Sequence, residues 1–184
     1  KSSQQGNVKG AVDLYLSAIQ QDPEDKRNYT ELAQMLIQSG RHGDALDALR
    51  QCPVASGDAD RLVLEGQCRE GLNELEEAGN LADLALSMSE VHAPALNLKG
   101  ILAFRQNAAE EARESFEKAA EADPSWGEPL TNLGVLLWTV GERDKSFDLL
   151  EKGFILSPHA VDLAERYHAA AVSLGAQARA EKVF

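Results

Sequence analysis

The sequence has almost no cysteine, few aromatics and no long apolar run, and each shortage removes a class of protein. Cys52 and Cys68, the only cysteines, have no clustered histidines to partner them, which leaves neither a disulfide framework nor a zinc site. Aromatics supply 5% of the 184 residues and hydrophobic residues 43%, a balance that suits alanine- and leucine-rich helices better than a sheet core. Six prolines leave few interruptions. No apolar stretch approaches the roughly 18 residues of a membrane span. Positive charge is also scarce: 18 Lys and Arg stand against 30 Asp and Glu, a formal charge of -12. Phosphate backbones require basic patches, so no nucleic-acid partner is expected, and the charge reads as solvated outer helix faces.

Chemistry-bearing motifs are equally thin. There is no Gly-rich phosphate loop, nucleophile elbow or Cys-x-x-Cys. His42, His92 and His159 fall at turns or helix ends. Glu165 and His168 share one helix face, but a single Glu-x-x-His lacks the second pair that a metal site needs, so His168 is expected to be a packed histidine. No catalytic residue, metal ligand or cofactor is expected.

What the chain does have is a period. In the stretch 127–160, Leu130, Leu133, Leu137 and Val140 recur at helical spacing, Gly141 interrupts, and Phe147, Leu150, Phe154 and Ile155 form a second stripe that Ser157-Pro158 ends. Thirty-four residues upstream, Gly100 stands where Gly134 does, Phe104 for Trp138, Ala112 for Ser146, Phe116 for Leu150, Ala119 for Gly153 and Pro124 for Pro158. Gly66, Ala78 and Ala85 keep the register a further step back. After one deleted residue, Leu32, Gly40, Ala45, Leu49 and Cys52 hold it, then Gly6, Ala11, Tyr15, Ala18 and Pro23; downstream, Tyr167, Gly175, Ala180 and Phe184 start another copy. Small residues at fixed places let paired helices approach closely, and Cys52 reads as one of them.

This pattern resembles the tetratricopeptide repeat family, over essentially the whole chain. The resemblance implies an all-α, right-handed superhelix of antiparallel helix pairs. As one array over 1–184 it has full repeats at 26–58, 59–92, 93–126 and 127–160, a second helix alone at 1–25, and a partial repeat at 161–184. The register puts Lys1 near the end of a first helix whose beginning is absent, so a piece of a longer protein is expected. Pro53 should end its helix about a turn early, ahead of a loop at Ala55, Ser56, Gly57 and Asp58. Glu65, Arg69 and Lys99, at polar positions of adjacent first helices, are expected to form a charge network.

In this family the first helices line a concave groove that takes an extended peptide or a partner helix. Carried over by register, the lining includes Val63 and Gln67 in the second full repeat. In the third it includes Asn97, Ile101, Phe104 and Arg105; in the fourth, Glu128, Thr131, Val135 and Trp138; and in the last, Asp162, Glu165 and Val172. Ile101, Phe104, Val135, Trp138 and Val172 form an apolar strip with acidic edges. The expected ligand is therefore a protein or peptide with apolar anchors and flanking basic residues. Of the carboxylate-clamp positions of chaperone-adaptor members, only Asn132 and Arg166 match, and Asp162 would repel a carboxylate. The asparagine ladder of the protein O-GlcNAc transferases is met only at Asn132. The resemblance thus implies a protein-interaction scaffold without catalysis of its own, and the unpaired cysteines suit a reducing, cytoplasmic compartment. The alternative is the non-catalytic repeat arm of a larger enzyme such as a glycosyltransferase. Self-association through uncapped ends is a third expectation.

Overall fold

The computed structural model describes residues 2–53, 58–157 and 161–175; they form ten α-helices and, among the described residues, no strand. Ala55, Ser56, Gly57, Pro158, His159, Ala180 and Phe184 lie outside them, as does the side chain of Asp162. The helices are α1 (Ser2–Gln21), α2 (Lys26–Gln38), α3 (His42–Gln51), α4 (Ala59–Gly71) and α5 (Leu75–Met88), then α6 (Ala93–Arg105), α7 (Ala109–Ala122), α8 (Gly127–Thr139), α9 (Arg143–Leu156) and α10 (Val161–Leu174). Their packing sorts them into two units, α1–α5 and α6–α10, divided between Glu90 and Val91.

Each helix pair turns on one left-handed residue. Gly40 at φ 75°, Asn73 at 65°, Asn107 at 60° and Gly141 at 90° occupy the same place in their hairpins. The hydrogen bonds around them repeat as well. Gly40 N donates to Ile37 O and Arg41 N to Leu36 O; Asn107 N donates to Phe104 O and Ala108 N to Ala103 O. These are paired C-terminal caps that satisfy the last carbonyls of a helix while reversing the chain. First helices are opened by side-chain caps at Asp25, Asp58 and His92, whose acceptor atoms take Arg27 N, Asp60 N and Ala95 N.

Two features depart from the period. Gly6 aligns by register with the turn residue Gly40, but α1 runs through it unbroken from Ser2 to Gln21. A glycine inside a helix costs only about 1 kcal/mol relative to alanine, so it permits a turn without imposing one. Pro53 does shorten its helix: α3 has 10 residues, whereas α5, α7 and α9 have 14 each.

In the first unit the core gathers Val12, Leu32, Ala33, Leu36, Ala45, Leu49, Leu64 and Cys68. Both thiols are free and buried, and burial pushes Cys68 up to about 12, so it stays protonated and inert. Of the predicted charge network, Glu65 accepts from Arg61 Nε at 3.0 Å, and Arg69 pairs with Glu74 across the hairpin turn. Each therefore has a partner inside its own unit.

In the second unit two groups of buried residues stand out among the described residues. One holds Ala103, Ala112, Phe116, Leu133, Leu136 and Leu137; the other holds Phe147, Leu150, Phe154, Tyr167, Ala170 and Ala171. The hairpin crossings are set by glycine. A Cβ on Gly100 would stand 2.5 Å from the Phe116 ring, and one on Gly134 would stand 2.9 Å from Leu150 Cγ. Ser146, fully buried, donates its hydroxyl to Gly134 O at 2.6 Å, which ties α9 to α8 at that crossing. No helix among the described residues is long and apolar enough to cross a membrane.

Candidate functional site

The residues singled out by register form three ranks on the first helices of the second unit, graded from interior to solvent. The innermost rank is not a lining at all. Asn97 and Thr131 are 0% exposed, and Val63, at the same place in the first unit, is 2% exposed. Thr131 faces the second helix of its own hairpin: a Cβ on Gly153 would lie 2.3 Å from Thr131 Oγ1, and the hydroxyl is satisfied by Gly127 O at 3.1 Å. The missing side chain at Gly153 admits the threonine into the crossing, so this register position belongs to the core. Asn97 holds helices together as well. Its Nδ2 donates to Glu128 Oε1 at 3.3 Å, and its Oδ1 accepts from Asn132 Nδ2 at 3.0 Å, linking α6 to α8. Asn97 and Thr131 are thus corrected from ligand-facing to structural.

The middle rank is half-buried. Ile101 and Phe104 pack an edge against the cluster of Leu133, Leu136 and Leu137, while Val135 and Trp138 do the same against the cluster of Phe147, Leu150 and Tyr167. Each apolar side chain on a first helix therefore leans on the following helices and keeps its remaining surface toward solvent. The Arg143 guanidinium lies 4.8 Å from the Trp138 ring centroid, a cation–π contact at the end of the row. Val172, the equivalent residue on α10, is 50% exposed. The outer rank, Arg105 with Thr139 and Ser173 at the same register place on α8 and α10, is exposed. Glu128 and Asn132 are half-buried beside the row, and Glu165 is exposed.

The residue that packs in α10 is Tyr167, while His168 is exposed, contrary to expectation. Tyr167 stacks on Phe147 and Phe154, with ring centroids 5.2 and 5.7 Å away, and its hydroxyl donates to Glu151 at 2.8 Å. These two rings already occupy the surface against which α10 packs, so the aromatic residue one place earlier turns inward. The signal was available in the sequence: Tyr167, not His168, continues the large-residue position. Among the described residues no three or more His, Cys, Asp and Glu side chains gather to hold a metal ion.

Two family models described as tetratricopeptide repeat match residues 3–64 and 63–125, which together span more than half of the chain. No curated protein matches it in sequence. Among solved structures it resembles TTC0263, a thermophilic TPR protein of Thermus thermophilus, at 19% identity and TM-score 0.73, over 92% of this chain and 93% of that one. It also resembles a chain in the APC/C hetero-tetramer Cut9–Hcn1, at 17% identity and TM-score 0.73, over 91% of this chain but 34% of that one. A third is MamA from Desulfovibrio magneticus RS-1, at 20% identity and TM-score 0.55, over 87% and 92%. At such identities the likeness shows the fold, an all-α helical repeat solenoid. Proteins built from these repeats generally act as non-catalytic scaffolds that mediate protein–protein interaction. The paired helices, the left-handed turns, the small residues at the crossings and the matching repeat models together make this chain a member of the tetratricopeptide repeat family.

Proposed function

We propose that the chain is a protein-interaction scaffold, without catalysis of its own, that takes a peptide or helix segment on the first-helix side of its second unit. One observation carries this: Ile101, Phe104, Val135, Trp138 and Val172, at two matching register positions on α6, α8 and α10, are apolar side chains that keep part of their surface in solvent. A ligand side chain laid along the row would desolvate aromatic and branched side chains that are already held in place by packing, so little ordering entropy is lost. Glu128 and Glu165 flank the row, which favours a segment with basic residues beside its apolar anchors.

The test uses exposed positions, because Phe104 and Trp138 also support the core. Val172→Glu and Arg105→Glu should each leave the helical circular dichroism spectrum unchanged. Val172→Glu should abolish capture of a partner that the wild-type chain retrieves from lysate. Arg105→Glu, adding to the acidic edge, should strengthen capture of a basic segment. Capture unaffected by Val172→Glu would move the interaction off this row.

A further inference from the structure

Consecutive second helices flank a groove whose floor is the first helix between them. In the second unit this groove, between α7 and α9 over α8, is closed. Arg113 on α7 reaches Glu142, the residue preceding α9, with Nη2 to Oε1 at 2.8 Å; Lys145 adds a second bond to Glu142 at 2.7 Å. Leu149 packs on the core cluster beneath. Three repeats earlier the register gives Val12 in the place of Arg113, Arg41 in that of Glu142 and Ala48 in that of Leu149. The cross-groove ion pair is lost, because Val12 carries no charge and Arg41 pairs instead with Asp44 of α3, and the filler is reduced to a methyl group. The result is an open cleft of about 180 Å³ between α1, α2 and α3, floored by Leu32 and Leu36 and walled by Val12, Leu16 and Ala48.

We propose that this cleft is a second docking site, which takes a phenylalanine side chain from a basic segment of a partner protein. The size supports an aromatic ring: an engineered apolar cavity of roughly 150 Å³ binds benzene. The wall supports an apolar anchor, since Leu16 is 45% exposed at its edge. The rim supports basic flanks. Asp44 and Asp47 keep 55% and 66% of their side-chain surface in solvent despite pairing with Arg41 and Arg50. The net charge of -12 also opposes a second copy of this chain as the occupant. None of these residues belongs to the row in the second unit, so the two surfaces are independent.

The experiment titrates the isotope-labelled chain, followed by backbone amide resonances, with a blocked heptapeptide carrying one central Phe between alanines and two lysines at each end. Two control peptides replace the Phe with Ala or the lysines with Glu. Saturable shifts of α1–α3 amides, seen with the first peptide and lost or much reduced with both controls, are the expected result. Ala48→Leu and Leu16→Glu copy the closed unit, whose counterparts are Leu149 and Glu117, and each should weaken binding by roughly tenfold or more. Leu16→Glu sits at an exposed position and keeps the test valid should Ala48→Leu perturb folding. The proposal is overturned by equal response to the Phe and Ala peptides, by shifts confined to other helices, or by undiminished affinity in both variants. Concentration-dependent dimerisation in sedimentation that Leu16→Glu abolishes would overturn it as well.

Discussion

The α2–α3 hairpin of the first unit and the α8–α9 hairpin of the second follow one register and reach different packings. Where α9 carries Gly153, α3 is followed by Cys52; where α9 carries Leu149, α3 carries Ala48; where Glu142 precedes α9, Arg41 precedes α3. In the second unit the helices close at glycine contacts: a Cβ on Gly127 would fall 2.2 Å from Gly153 O. In the first unit α3 stops short at Pro53, and an apolar cleft opens beside Ala48. A repeat therefore conveys where helices start, turn and cross, while the volume at each crossing is decided residue by residue. Interaction surfaces can arise wherever that volume is left unfilled.

The largest break in this comparison is expected at Gly153. A methyl group there meets Thr131 Oγ1 at 2.3 Å and the Gly127 carbonyl at 2.8 Å, and the carbonyl is backbone that cannot rotate aside. Gly153→Ala should destabilise the chain by about 1–3 kcal/mol through overpacking. Cys52→Ala, at the same register place, should cost within roughly 1 kcal/mol, since it only trims a sulfur. Urea unfolding of both variants checks the contrast, and equal costs would mean that the two hairpins are equally tight.

A smaller effect distinguishes the strap from the open groove. Hydrogen bonds from Lys145 and then Arg113 hold the Glu142 carboxyl below its ordinary value near 4.5. A depressed folded-state value means that the stabilisation is present above the unfolded value and is lost as pH falls through the folded one. Acidification below about 4.5 should therefore lower the protection of α7 and α9 amides relative to their intrinsic exchange rates, with Glu142→Gln removing the strap's share of that pH dependence. Val12 and Arg41 give α1–α3 no such strap. Asp25, also held low, by its bonds with Arg27, supplies an acid-sensitive helix cap at α2 instead. Acid exchange in α2 that is unchanged by Glu142→Gln would confirm that the two sensitivities are separate.

Most helix starts and the small residues at the crossings were legible in the sequence, because period and punctuation are local properties. Gly100, Gly134 and Ala112 announced close approach, and the crossings lie there. What the period could not convey is how far each neighbour closes in. Thr131 and Asn97 resembled lining because a polar residue on a first helix is usually wet. Thr131 is sealed because Gly153 lacks a side chain, and Asn97 because Glu128 and Asn132 satisfy its amide. The pairing of Gly127 with Gly153 was the available sign, since two glycines at one crossing leave room that something must fill. The cleft beside Ala48 was invisible for the converse reason. An alanine in a helix suits the pattern whether or not its neighbours grow to cover it.

The turns give the smallest and sharpest test. Asn107 and Gly141 are equivalent in their hairpins and both are left-handed, at φ 60° and 90°, yet only glycine adopts that region without a steric cost from Cβ. Asn is the side chain that tolerates it best after glycine. Replacing Asn107 with Gly relieves that cost but adds freedom to the unfolded chain, so the net gain should be only a few tenths of a kcal/mol. Asn107→Ala keeps Cβ and discards the amide, so it should lose about 1 kcal/mol. Measured together by thermal unfolding, the two variants separate backbone strain from side-chain contribution. If Ala at 107 proved as stable as Gly, the turn would be accommodating a right-handed residue, and the repeated cap that joins α6 to α7 would not depend on its left-handed residue.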